Sequence, residues 1–98
     1  KIENKWLDLL GVMYRQVKIS KYKVDGYDPK TNTVYEFNGD FWHGNPKKYN
    51  KDDINPISKK TFRELYEKTL ERENNIRKLG YNLISIWESD FLNEDVSS

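Results

Sequence analysis

Residues 36–46 read Glu36-Phe37-Asn38-Gly39-Asp40-Phe41-Trp42-His43-Gly44-Asn45-Pro46, and they decide how the rest of the chain is read. The segment closes a strand-forming run, Thr33 to Asn38, and contains His43, the single histidine of the chain. Upstream, Asp25 sits between Val24 and Gly26, late in a second strand-forming run from Tyr22 to Tyr27. Asp28-Pro29-Lys30-Thr31-Asn32 joins the two runs with turn chemistry, which predicts a hairpin. Across such a hairpin, Asp25 and Glu36 are close enough to share one ion, and the backbone carbonyl of Phe37 adds a third oxygen. Two carboxylates, a carbonyl and an imidazole at one strand end suit divalent-metal phosphodiester chemistry. A plain surface pair is the alternative for Asp25 and Glu36; a purely structural imidazole is the alternative for His43.

Outward from that segment, Ile2, Trp6, Leu9 and Leu10 share a helical face, so residues 1–10 predict a helix ended by Gly11. Val12 to Ser20 mixes β-branched and aromatic residues and predicts the first strand. Residues 39–57, punctuated by Gly39, Gly44, Pro46 and Pro56, predict a long loop, and loops of that length are usually functional or disordered. Ser58 is expected to cap a long helix whose stripe is Phe62, Leu65, Tyr66, Thr69, Ile76 and Leu79, with Gly80 as its stop. The dense apolar run Tyr81 to Trp87 predicts a buried central strand, and Ser89 or Asp90 begins a short final helix. The order is α-β-β-β-α-β-α. This is an α/β (α+β) chain with a four-stranded mixed sheet flanked by helices.

Ninety-eight residues make one small domain. Three Trp and seven Tyr let it bury much area with few side chains. With no cysteine there is neither a disulfide nor a thiolate zinc site. No run reaches membrane-spanning length. Net charge is only +1, weak for a nucleic-acid binder, but the distribution is uneven. Lys47, Lys48, Lys51, Lys59, Lys60 and Arg63 stand against only Asp52 and Asp53 in that stretch. The run is either a solvated loop and helix start or a track for a phosphate backbone. The chain begins without Met inside a helical pattern, which reads as a fragment of a longer protein.

Asp25…Glu36-Phe37-Asn38 resembles the PD-(D/E)xK nuclease motif, and Gly39-Asp40-Phe41-Trp42-His43 is similar to the Gly-Cys-Phe-Trp-His segment of the very-short-patch-repair (Vsr) mismatch endonucleases. The Vsr-like catalytic domains of the EDxHD group of homing endonucleases are similar too. Ile2-Glu3 with Leu7, Leu9 and Leu10 resembles the Vsr first helix, and Leu79-Gly80-Tyr81…Ile86-Trp87-Glu88 resembles the family's Leu-Gly-Trp…Val-Trp-Glu ending. The resemblance implies a restriction-endonuclease-like fold and an Mg²⁺ (or Mn²⁺) dependent endonuclease acting on double-stranded DNA. By it, Asp25 and the Phe37 carbonyl ligate the ion, Glu3 holds water of the ion's shell, and His43 is the general base. Glu36 matches the generic nuclease pattern, which implies metal binding there as well, whereas Vsr is apolar at that position.

Other positions depart from the family pattern. Asn38 stands where the generic motif has Lys and Vsr has His, so it can hydrogen-bond water but cannot act as a base. Asp40 and Asn45 replace two ligands of the Vsr structural zinc. The acid that partners the catalytic histidine falls near Thr69, leaving Glu71, Glu73, Asp52 or Asp53 as substitutes. Phe41 and Trp42 either plug the sheet end or, as the matching Vsr pair does, wedge into DNA.

Three functions follow as expectations. The first is the catalytic domain of a phage-type homing endonuclease, its DNA-recognition domain lying elsewhere in the protein. The second is a Vsr-type mismatch-nicking repair enzyme. The third is a catalytically silent DNA-binding or protein-docking module of the same fold. Cutting both strands with one site per chain needs either a homodimer formed through the longer protein or two sequential nicks. The expected location is the cytoplasm of a bacterium or phage-infected host.

Overall fold

The computed structural model describes residues 1–97, and side-chain surroundings through residue 93. The elements are α1 (Ile2–Leu10), β1 (Tyr14–Ile19), β2 (Tyr22–Asp28), β3 (Thr33–Asn38), α2 (Asp40–His43), α3 (Phe62–Lys78), β4 (Asn82–Trp87) and α4 (Glu88–Ser97). The four strands form one sheet in the order β1-β2-β3-β4, with β1, β2 and β3 antiparallel neighbours and β4 parallel to β3. The chain is therefore an α+β domain with a mixed, open sheet, as its pattern predicts.

Each face of the sheet carries its own core. On one, Trp6 and Leu7 of α1 meet Val12, Phe37 of β3 and Phe91 of α4. On the other, Ile76 of α3 covers Ile19, Val24 and Val34. Trp6 sets its ring edge against Tyr35 and tilts over Phe37, so aromatic area does much of the filling. Gly26 is where α1 comes closest: a Cβ there would lie 2.8 Å from Val12 and 3.0 Å from Leu7. No helix among the described residues is long and apolar enough to cross a membrane.

Four details differ from the sequence pattern. The helix α1 faces the sheet through Trp6 and Leu7, leaving Leu9 and Leu10 exposed. The long helix starts at Thr61 rather than Ser58: the Thr61 side chain accepts from the Glu64 N–H while Glu64 reaches back to the Thr61 N–H, a reciprocal capping box. Strand β4 is an edge strand, not a central one, and Ile84 is half exposed on it. Its apolar run reflects contact with helices rather than neighbours on both edges.

The long loop, finally, is not structureless. It opens with α2 and is then pinned by two fully buried asparagines, Asn45 and Asn55. Asn55 donates to the Phe41 carbonyl (3.1 Å) and accepts from the Ile57 and Ser58 amides (2.9 and 3.1 Å). Asn45 donates to Asp40 (2.9 Å), which also accepts from the Ser89 hydroxyl (3.3 Å). This hydrogen-bonded knot stands where the resemblance would put zinc ligands. Side-chain amides here do for the loop backbone what secondary structure does elsewhere.

Candidate active site

The sheet is irregular where its acidic residues lie. Val17 pairs with Val24, which is buried against α3, while Arg15 pairs with Gly26, which faces α1. Strict alternation would place Val24 and Gly26 on the same face. The pleat reverses at the intervening residues, Gln16 and Asp25, and Gln16 takes a left-handed backbone with φ 52°. Few residues other than glycine adopt that conformation.

Beyond Gly26 the β2–β3 ladder stops after three pairs. Amides that would continue it are taken by carboxylates instead. Glu36 Oε2 accepts from the Asp25 N–H (3.3 Å), and Asp25 Oδ2 accepts from the Phe37 N–H (2.8 Å). The strands thus part, and the gap is closed by the two acids facing each other across it.

The acids differ in their surroundings. Glu36 is buried, and its Oε1 accepts from Arg72 Nε at 2.6 Å. Arg72, from α3, also donates to the Lys23 carbonyl (2.7 Å), tying helix, β2 and β3 together. Burial pushes the Glu36 carboxyl up, and the Arg72 guanidinium opposes that shift. Expected as a metal ligand, Glu36 is engaged by Arg72 and by the Asp25 amide. Asp25 is half-buried and pairs with no cation. Burial raises its pKa, partly offset by the Phe37 amide. Glu3, from α1, lies on the same side: burial and then the Asp25 charge push its carboxyl up.

His43 ends α2 and is followed by Gly44, which takes φ 67°. A Cβ at Gly44 would sit 2.2 Å from the Phe62 carbonyl, so only glycine lets this turn seat against the start of α3. His43 Nδ1 lies 3.0 Å from the Thr69 hydroxyl, and that hydroxyl donates to the Leu65 carbonyl (3.0 Å). A hydroxyl has one proton to give. With the Thr69 proton given to the Leu65 carbonyl, Thr69 accepts from His43, an arrangement that puts the proton of the neutral ring on Nδ1 and leaves the lone pair on Nε2. Burial lowers the His43 pKa below its ordinary 6.5, and the nearby Asp25 charge partly opposes this. The ring is neutral at pH 7, with the tautomer a general base needs.

Among the described residues the side chain bonded to His43 is that of Thr69, not an acid. Glu73 is bound by the Asn38 amide (3.2 Å), both side chains being buried, and reaches His43 only as a charge. Asp52 pairs with Arg63 (3.2 Å), the Asp53 carbonyl accepts from Phe62, and Glu71 lines the cleft beside the histidine. The resemblance already puts the histidine's partner near Thr69, but as an acid; Thr69, four residues after Leu65, is a hydroxyl that can bond back to the preceding turn.

Beside His43 a cleft of about 420 Å³ is lined by Lys21, Tyr22, Lys68, Arg72 and Trp42. Trp42 is 55% exposed, whereas Phe41 turns inward against Tyr49 and Phe62. The aromatic pair is split: one ring packs, the other projects. Of the lysines singled out in the sequence, Lys60 lies beside Lys68, and Lys47 lines a separate cleft along β4 with Trp6 and Leu10. Lys48, Lys51 and Lys59 are exposed and do not line the His43 cleft. Lys21, Lys68 and Arg72 supply the cleft's positive charge, from sequence positions that form no run.

Of the three site carboxylates Glu36 is ion-paired with Arg72, which leaves Asp25 and Glu3 for a divalent cation, each already accepting one hydrogen bond, from the Phe37 amide and from Gln16. Among the described residues no three acidic, imidazole or thiol groups form a ready-made cage. Mg²⁺ usually takes one or two protein carboxylates and keeps several waters, so this donor set fits it. No family model, curated protein or solved structure matches the chain.

Proposed function

We propose that this domain is a metal-dependent endonuclease with a restriction-endonuclease-like, Vsr-like fold that hydrolyses phosphodiester bonds in double-stranded DNA. The observation that carries the reading is His43: a half-buried imidazole whose Nδ1 is bonded to Thr69 and whose pKa is lowered by burial, near the Asp25 carboxylate. In this reading Asp25 and Glu3 hold Mg²⁺ or Mn²⁺, and the Phe37 carbonyl remains available as a further oxygen. When bound, the ion supplies Lewis-acid polarisation of the phosphate and a lower pKa for water.

The remaining roles belong to the chain's own side chains. His43 Nε2 takes the proton of the attacking water as its oxygen bonds to phosphorus, and the ester P–O bond opposite breaks. The leaving oxygen is then protonated from solvent. Glu36, tied to Arg72, holds β2 and β3 at the spacing that aims Asp25. Lys21, Lys68 and Arg72 attract the phosphate backbone into the cleft, and Trp42 is placed to stack on or between bases. The catalytic domain of a phage-type homing endonuclease, with recognition supplied by another part of the protein, is the setting this site fits best. A low net charge supports such a division of labour.

Supercoiled plasmid tests the proposal, with Mg²⁺ against EDTA, for wild type, Asp25→Ala and His43→Ala. Wild type is expected to nick or cut only with the metal. Each substitution should lower the rate by about 100-fold or more, the scale of a lost general base. Cleavage in EDTA, or equal activity in all three proteins, would overturn it.

A further inference from the structure

Gln16 has no place in the mechanism above, yet it occupies the most constrained position in β1. It lies where the pleat reverses, directly across from Asp25 in the β1–β2 register, which runs Arg15↔Gly26 and then Val17↔Val24. Its backbone takes φ 52°, a conformation that is strained for a non-glycine residue and persists only where something holds it. The side chain is solvent-exposed, so packing does not hold it. What its amide does touch is the acidic pair. Nε2 donates to Glu3 Oε2 at 3.1 Å, and the same side chain lies on the Asp25 side of that carboxylate, where it favours the Asp25 charge.

We propose that Gln16 is the positioning residue of this pair: a left-handed turn in β1 places its amide between Glu3 and Asp25, holding the two carboxylates at a spacing that one divalent cation can bridge. The inference rests on the reading of Asp25 and Glu3 as the metal-holding acids. Glu3 arrives on a helix and Asp25 on a strand, and no hydrogen bond between their own elements fixes their separation. Left to themselves, two like charges move apart. A neutral double donor between them opposes that without adding a charge that would compete with the cation. Alanine would leave the acids without that donor. Glutamate would add a third negative charge while keeping the side-chain length. Glycine would ease the backbone while also removing the amide.

The test is divalent-cation binding, read by calorimetric titration of Mg²⁺ and Mn²⁺ into wild type, Gln16→Ala, Gln16→Gly and Asp25→Asn, with melting temperature recorded for each. Wild type should bind one ion. Gln16→Ala and Gln16→Gly should both weaken binding about tenfold, although Gln16→Gly melts higher than Gln16→Ala because the strain is relieved. In cleavage, the Mg²⁺ concentration for half-maximal rate should rise by the same factor, with the rate at saturating Mg²⁺ largely kept. A purely structural role would instead make affinity follow melting temperature. Wild-type binding with unchanged affinity in both Gln16 variants overturns this inference alone and leaves the nuclease reading standing. A wild type that binds no divalent cation overturns both.

Discussion

Strand β3 has two neighbours, and it treats them differently. Toward β4 it forms an unbroken parallel ladder of six residue pairs, Thr33↔Asn82 through Asn38↔Trp87. Toward β2 it forms three pairs and stops, and two carboxylates take the next amides. One side of the strand is scaffold, and the other is the site. Continuous pairing satisfies every backbone group but leaves no room for chemistry. Where the ladder opens, carboxylates can be brought together, held by single hydrogen bonds and one ion pair. The cost is charge held away from water.

Removing Arg72 should break the open side most severely. Arg72→Ala leaves the buried Glu36 carboxylate without its partner, and losing one half of such a pair costs about 3 kcal/mol. Urea unfolding should show that loss. Because the two act as one unit, Glu36→Gln combined with Arg72→Ala should lose less than the sum of the single changes.

Thr69→Val is the next step down. It deprives His43 Nδ1–H of its acceptor, and an orphaned, largely buried donor costs about 1–3 kcal/mol. Cleavage should fall because the Nδ1–H tautomer is no longer fixed, while metal affinity stays as in wild type. The ring itself can be followed directly, since the single histidine gives one imidazole signal by NMR. Its folded pKa is lowered, so it should titrate below 6.5. The sign follows from the neutral form being the active one: rate rises with pH through that lowered value and is flat on His43's account at pH 7. Asp25→Asn removes a charge that favours the imidazolium and should move the titration lower still.

The smallest effect belongs to the scaffold side. Ile84→Thr, half exposed on the regular β4 edge, should change stability by no more than about 0.5 kcal/mol and leave cleavage unchanged. A large loss there would dissolve the contrast between the two sides of β3.

The sequence carried the parts that repeat. Runs of β-branched, aromatic and apolar residues placed all four strands, the turn residues Asp28 to Asn32 placed the hairpin, and the stripe from Phe62 placed α3. That Asp25 and Glu36 lie side by side was also legible, because hairpin spacing is a local property; Glu3 entered through the resemblance alone. What stayed hidden depends on distance in space. Arg72 meets Glu36 across 36 positions, and Thr69 meets His43 across 26. Gln16 looks like any polar strand residue until its φ and its partners are known. The buried, central position expected for β4 was misjudged as well: its residues are exposed or only half-buried at the sheet edge, so the apolar run alone did not report burial.

Asp25 keeps its charge at the opening, against the cost of burial that outweighs the Phe37 amide and the Arg72 charge, because the proposed site needs it. Its folded pKa is raised, so its favourable contribution exists below its ordinary pKa of 3.8 and is lost as pH rises through the folded value. At pH 7 the ionised carboxylate weakens the fold. Asp25→Asn keeps the shape and an oxygen for the Phe37 amide but carries no charge. Thermal unfolding at pH 7 in EDTA, paired with plasmid cleavage in Mg²⁺, is therefore the decisive measurement. The expected result is a variant that melts above wild type and does not cut. A variant that melts below wild type, or one that still cuts, would contradict the account.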